Sequence, residues 1–285
     1  MVEAVDPDRL VGAPGGERPQ GTVFGEVAEL YDRARPGYPD SLVDDVLAYA
    51  DAKDPRVLEL GAGTGKATVT FATRGLEILA LEPSAEMAAV ARANCQRFPR
   101  VVVRVASFED WQLSRRPFDL VISAQAWHWM DPTVRYAKAH TVLTAGGVLA
   151  LFWNRPLWEN AELRDQLDAA YERCAPELRA RKPGFPGLTQ PRVDDERADE
   201  IVASGLFGPV TRRSYTWSKR YSADHYVELL ETQSDHRMLN ATQRERLLGA
   251  VADIIQREGG SLQMDYRTQL YLARRADQTD PQGGR

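Results

Sequence analysis

Arg56-Val-Leu-Glu-Leu-Gly-Ala-Gly-Thr-Gly-Lys-Ala-Thr68 decides how this chain is read. Val57 to Leu60 is a short apolar run broken only by Glu59. Gly61, Gly63 and Gly65 then follow at alternate positions, ahead of a helix-compatible stretch. The pattern is a strand, a tight turn and a helix. Glycine tolerates positive φ and has no Cβ, so a ligand can press against bare backbone at such a turn. The helix start behind it presents unpaired N–H groups.

Working outward, apolar periodicity predicts strands at 56–60, 77–81, 101–106, 118–124 and 147–153, with helices at 66–74, 85–98 and 133–143 between them. That alternation is expected of a doubly wound α/β sheet. Ser84 is placed to cap the second of these helices, and Gly146-Gly147 to stop the third. Upstream, Phe24, Val27, Ala28 and Tyr31 share a helical face that breaks at Arg35-Pro36-Gly37-Tyr38-Pro39, and helix resumes near Ser41. Residues 22–154 read as a core with an N-terminal cap. Residues 155–208, polar, arginine-rich and broken at Pro183-Gly184-Phe185-Pro186-Gly187, read as a helical insertion over the site. Residues 209–275 read as two late strands, 210–217 and 264–273, around helices of the same domain, one opening on the capping box Thr242-Gln-Arg-Glu245. Residues 1–21 and 276–285 read as disordered tails.

Composition narrows the class. The 285 residues are 43% hydrophobic and 27% charged, and the net charge of −5 offers no basic footprint for a nucleic acid. No apolar run approaches the roughly eighteen residues of a spanning helix, and no signal pattern opens the chain, so no membrane partner is expected. Two cysteines, Cys95 and Cys174, suit a reducing cytoplasm, and no Cys/His spacing suggests a metal.

The glycine turn resembles motif I of the class I S-adenosylmethionine-dependent methyltransferases. A dinucleotide site reads G-x-G-x-x-G, with its third glycine one place later. Here the register is G-x-G-x-G, and Glu59 would repel a pyrophosphate but attract the methionine ammonium of S-adenosylmethionine. The resemblance implies a seven-stranded Rossmann-like sheet in the order 3-2-1-4-5-7-6, with the last strand antiparallel. It also implies a cofactor site. Glu59, Gly61, Ala62, Gly63, Thr64 and Gly65 form its turn. Glu82, about twenty residues on, would grip the ribose, with Pro83 beside it and Met87 against adenine. Ser107, Phe108 and Glu109 match the adenine loop, with Asp110 an alternative partner for the exocyclic amine. Ala124 and Gln125 end the fourth strand, near the transferable methyl. The segment Tyr31-Asp32 with Arg35-Pro36-Gly37-Tyr38-Pro39 resembles an N-terminal element of a small-molecule branch that includes trans-aconitate methyltransferase-like proteins, which makes Tyr31 and Arg35 lid contacts on the cofactor.

His128 is the histidine on the expected active face, so it is the general-base candidate, against a structural role. Trp127, Trp129, Trp153 and Trp158, together with His128, would wall a pocket for an aromatic or apolar, natural-product-like acceptor. S-adenosylhomocysteine is then the second product. The reading favours O-methylation by a monomer or homodimer. C- or N-methylation, a cofactor-bound scaffold or cyclase, and an NAD-type oxidoreductase stay open.

Overall fold

The computed structural model describes residues 28–113, 116–181 and 191–277. The expected tail at 1–21, most of that at 276–285, Phe24, Val27 and the 183–187 breakers lie outside the described residues. In chain order the elements are α1 (Ala28–Ala34), α2 (Asp40–Ala50), β1 (Arg56–Leu60), α3 (Lys66–Ala72), β2 (Glu77–Glu82), α4 (Ala85–Cys95), β3 (Val101–Val105), β4 (Phe118–Ala124), a 3-10 turn (Trp127–Trp129) and α5 (Arg135–Val142). Then follow β5 (Leu143–Leu157), α6 (Ala161–Cys174), α7 (Pro176–Arg181), α8 (Pro191–Ala203), β6 (Thr211–Ser222), α9 (Ala223–Glu231), α10 (Ser234–Arg237), α11 (Ala241–Arg257) and β7 (Ser261–Arg274).

The strands form one sheet in the order β3-β2-β1-β4-β5-β7-β6. β1 to β5 run parallel, and β7 runs antiparallel to both β5 and β6. This is the strand order that the sequence resemblance implies. Each parallel strand reads as a nearly continuous apolar run because both faces are covered. Alternate residues go to opposite sides. Ile78, Ile122 and Phe152 join Leu42, Val46 and Phe71 of α2 and α3. Leu79, Val121 and Trp153 join Val142 of α5 and Ile201 of α8 on the other face. A third apolar body lies beyond the ends of β5, β6 and β7, where Leu167 and Tyr171 of α6, Tyr226 and Leu230 of α9, and Val251 and Ile255 of α11 pack on Tyr221 and Tyr266. The helices of 155–208 therefore divide: α6 belongs to this cap, whereas α8 covers a sheet face.

Several boundaries differ from the sequence reading, among them β6, which runs to Ser222, and β7, which opens at Ser261. β5 runs to Leu157 instead of ending at Trp153, because β7 continues to pair with it as far as Leu157↔Asp265. At its other end Leu143 already pairs with Phe118. Pairing resumes at Val148↔Leu120, so Gly146-Gly147 sits in a register shift and not at the helix stop. The capping box lies two residues earlier than expected: the Asn240 side chain accepts from the Gln243 N–H at 2.9 Å and its Nδ2 donates to Gln243 Oε1 at 2.7 Å. Asn240, just ahead of Thr242, meets the first free N–H groups in better reach. Ser84 caps α4 as expected, accepting from the Met87 N–H at 3.2 Å.

Gly61 has φ +68°, and a Cβ there would overlap the Ala126 side chain. Gly75 has φ +77° with open space around it. Gly75→Ala should therefore cost about 1 kcal/mol of left-handed strain, and Gly61→Ala about 2–4 kcal/mol, because crowding adds to strain. Urea unfolding of the two variants checks the difference; equal losses would refute the close approach.

Candidate active site

The turn after β1 is held by backbone and by one carboxylate. The N–H groups of Gly61 and Ala62 both donate to the Leu81 carbonyl, at 2.9 and 3.0 Å. The Gly63 N–H donates to Glu82 Oε2 at 2.7 Å, and the Ser84 N–H donates to Glu82 Oε1 at 2.9 Å. Glu82 is buried. Burial raises its pKa, opposed by the two N–H bonds. Each carboxylate oxygen has a further lone pair for a ligand. Glu82 therefore ties the first turn to the end of β2 while facing the cleft.

Glu59 has no such support. It is buried, and neither oxygen has a hydrogen-bond partner among the described residues. Burial pushes it up to about 8. Thr68 opposes that and the Glu82 charge adds to it, although the Thr68 hydroxyl does not meet hydrogen-bond geometry with either oxygen. A buried carboxylate without a partner is costly, and a cation delivered by a ligand would supply what is missing.

Two cavities open at this edge, spanning about 940 and 830 Å³ of non-atom space that includes open solvent. They share Tyr31, Gly61, Gly63, Ala124 and Gln125. The smaller is lined by Glu82, Pro83, Met87, Ser107, Phe108, Glu109 and Trp129. The larger holds Glu59, Ala62, Thr64 and Arg35, and runs on to Trp158 and residues of α9 and β7. Together they form a cleft along the carboxyl ends of β1, β2 and β4, where ligands of open α/β sheets bind. Gln125 sits at the junction with φ 58°, unusual for a residue with a side chain. Its N–H donates to the Phe152 carbonyl at 3.0 Å.

The N-terminal helix closes one wall. Asp32 pairs with Lys66 at 3.2 Å and accepts from Asn94 Nδ2 at 3.0 Å, and the same Asn94 group donates to the Thr64 carbonyl at 2.9 Å. Arg35 donates to Thr232 Oγ1 at 2.8 Å and to the Thr232 carbonyl at 3.1 Å, and its guanidinium lies 5.0 Å from the Tyr31 ring centroid. Gly65 stands at the start of α3 against Ala91, outside both cavities. Ser107 caps its own turn, bonding the Asp110 N–H and carboxylate, and Glu109 accepts from the Asp131 N–H at 2.8 Å.

The expected aromatic wall is corrected. Trp127 and Trp153 are fully buried among Leu60, Val121 and Tyr271 and line neither cavity. The 3-10 turn puts Trp127 beneath the sheet face and Trp129 outward, 48% exposed, at the rim of the smaller cavity. His128 lines neither cavity. Its Nδ1 accepts from the Trp153 indole at 3.4 Å and its ring lies 4.8 Å from that of Trp129. Trp158 does line the larger cavity. The wall of that cavity also includes Tyr226, Leu229, Leu230, Met264 and Tyr266, which the sequence reading did not single out. The i, i+3, i+4 spacing of Tyr226, Leu229 and Leu230 was visible, but a face that covers a core and one that covers a cavity look alike in sequence.

Residues 57–147 match the family model described as a methyltransferase domain. An uncharacterised methyltransferase of Mycobacterium tuberculosis is 41% identical over 131 residues, 46% of this chain and 51% of the relative, so the chain spans about half the length of the curated relatives it matches. A solved structure, a candidate type II methyltransferase from Anaeromyxobacter dehalogenans, superposes with a TM-score of 0.58 at 24% identity, over 84% of this chain and 97% of that one. Phosphoethanolamine N-methyltransferase 2 of Haemonchus contortus, solved with phosphomonomethylethanolamine and S-adenosylhomocysteine, gives 0.51 at 15%, over 89% and 58%. Both likenesses are of fold. With motif, sheet order and site geometry in place, residues 57–147 are similar to the methyltransferase domain family, within a sheet of the strand order that the sequence resemblance implies.

Proposed function

We propose that the chain transfers the methyl group of S-adenosylmethionine to a small apolar or aromatic acceptor, with oxygen as the favoured atom. The observation that carries this is Glu59: a buried carboxylate without a hydrogen-bond partner among the described residues, at the head of a glycine turn, with a second carboxylate at the end of the adjacent strand that still has lone pairs free. A ligand with an ammonium at one end and a diol further along suits both. In this reading Glu59 faces the ammonium and Glu82 takes the ribose hydroxyls. Pro83, Met87 and Phe108 hold adenine, with Ser107 or Glu109 at its edge. Tyr31 and Arg35 cover the cofactor, and Gln125 and Ala124 border the methyl. The Tyr31–Pro39 element supports a place in the small-molecule branch that includes trans-aconitate methyltransferase-like proteins. The cofactor, when bound, supplies an electrophilic methyl on a sulfonium, and the protein aligns it and excludes water. No proton transfer is assigned to His128, whose ring is turned to Trp153 and Trp129.

The purified protein should bind S-adenosylhomocysteine at micromolar levels in calorimetry. Glu82→Ala should weaken this by about 100-fold, because it removes charge-assisted bonds and loosens the Gly63 turn. Absence of binding by the wild-type protein would overturn the reading.

Glu59 adds a proton to the measurement. Its folded pKa, about 8, lies above its ordinary value of 4.5. The folded protein therefore holds that proton more tightly than the unfolded chain. Its contribution to stability is full below about pH 4.5 and is lost as pH rises through 8, on the order of a few kcal/mol. The Glu59→Gln variant should lack that slope in chemical denaturation at pH 5 and 8. An ammonium beside Glu59 favours its charged form, so cofactor binding at pH 7 should release close to one proton. Titrations in two buffers of different ionisation enthalpy measure it, and Glu59→Gln should abolish it.

A further inference from the structure

The part of the larger cavity away from the glycine turn is walled by Trp158, Tyr226, Leu229, Leu230, Met264 and Tyr266. Two of these carry hydroxyl groups, and both are almost wholly buried: Tyr226 is 3% exposed and Tyr266 4%. The Tyr266 hydroxyl lies 2.9 Å from that of Tyr221. Tyr221 is sealed from solvent, and its hydroxyl has no other partner among the described residues. Either hydroxyl can donate in this pair; when the sealed Tyr221 donates, the Tyr266 proton is left for the cavity. Tyr226 has no hydrogen-bond partner for its hydroxyl among the described residues. Its ring is fixed edge-on by Trp158 at 6.3 Å and by Tyr221 at 6.0 Å. Burial raises both phenols above their ordinary range, and the neighbouring Tyr221 adds to each rise. They are neutral donors, not bases.

Two phenol donors, set in a mostly apolar wall that also carries the Gln233 amide, make a defined recognition element. No histidine or aspartate lines this cavity, and its one carboxylate, Glu59, belongs to the turn. We infer that Tyr226 and Tyr266 form a two-donor site for one oxygen of the acceptor, a carbonyl or an ionised hydroxyl on an otherwise flat, apolar molecule. The inference rests on the methyl-transfer reading for its meaning, but it can be tested apart from it. The aromatic contact is made by these phenols and Trp158, and selection depends on an oxygen that accepts. A hydrocarbon of the same shape satisfies the wall and leaves both donors orphaned, which a buried site penalises.

The test uses three probes of one ring system: 2-acetonaphthone, 2-naphthoate and 2-ethylnaphthalene. Each is titrated into the full chain with and without saturating S-adenosylhomocysteine. At least one oxygen-bearing probe should bind about fivefold more tightly than the hydrocarbon, and more if the ionised oxygen is the preferred form. Which of the two leads identifies carbonyl or oxyanion. Tyr226→Phe loses no internal hydrogen bond and should fold as the wild type does. It should cut the advantage to about twofold while leaving S-adenosylhomocysteine and hydrocarbon affinity unchanged. The double variant Tyr221→Phe/Tyr266→Phe, which removes both members of that hydrogen-bonded pair, should do the same. Equal affinity for the three probes, no binding of any of them, or a full advantage retained in Tyr226→Phe overturns the two-donor site. Failure of S-adenosylhomocysteine to bind overturns the methyl-transfer reading, and the titrations without it still decide on the tyrosines.

Discussion

Burying Glu59 at the end of β1 costs free energy that its neighbour Thr68 offsets only in part. Its companion Glu82 is buried as well, but two backbone N–H groups hold it, one from the glycine turn and one from the start of α4. The contrast gives the site its character. One carboxylate is neutralised by the fold and shapes the turn. The other is left without a partner, and burial keeps its proton on near neutral pH. The close approach of Gly61 to Ala126 completes the arrangement, since any side chain there would push the first and fourth strand ends apart.

The same edge is closed from the side by a helix that belongs to neither half of the cleft. α1 is joined to the glycine turn through Asp32, Lys66 and Asn94, and to the late helices through Arg35 and Thr232. Tyr31 borders both cavities. A ligand that orders this helix therefore orders the wall shared with the acceptor half. The contacts are charged or charge-assisted, partly exposed and individually modest. The segment's place thus depends on several bonds acting together.

Much of this was legible before any coordinates. The strand–turn–helix at 56–68, the acid at the end of β2 and the apolar alternation give the sheet, because each is a local pattern backed by backbone sterics or hydrogen bonding. Boundaries decided by distant partners were not legible. β5 outruns its apolar run because β7 pairs with it to Leu157. Asn240 displaces the Thr242 capping box because it is the residue at the helix entrance, which composition alone does not reveal.

The aromatic residues mark the limit most clearly. Four tryptophans clustered in sequence were expected to line one pocket. The strand pleat and the 3-10 turn bury Trp127 and Trp153 within the sheet face, and leave Trp129 and Trp158 at the openings. The wall that replaces them comes from residues 226–230 and 264–266, over sixty positions further on. Sequence by itself determined the fold class, the glycine turn and the two carboxylates, since those follow from short-range periodicity, sterics and charge. Only the tertiary structure decided which apolar face meets a core and which meets a cavity, because burial is a property of what lies opposite a residue in space and the chain does not record that neighbour locally.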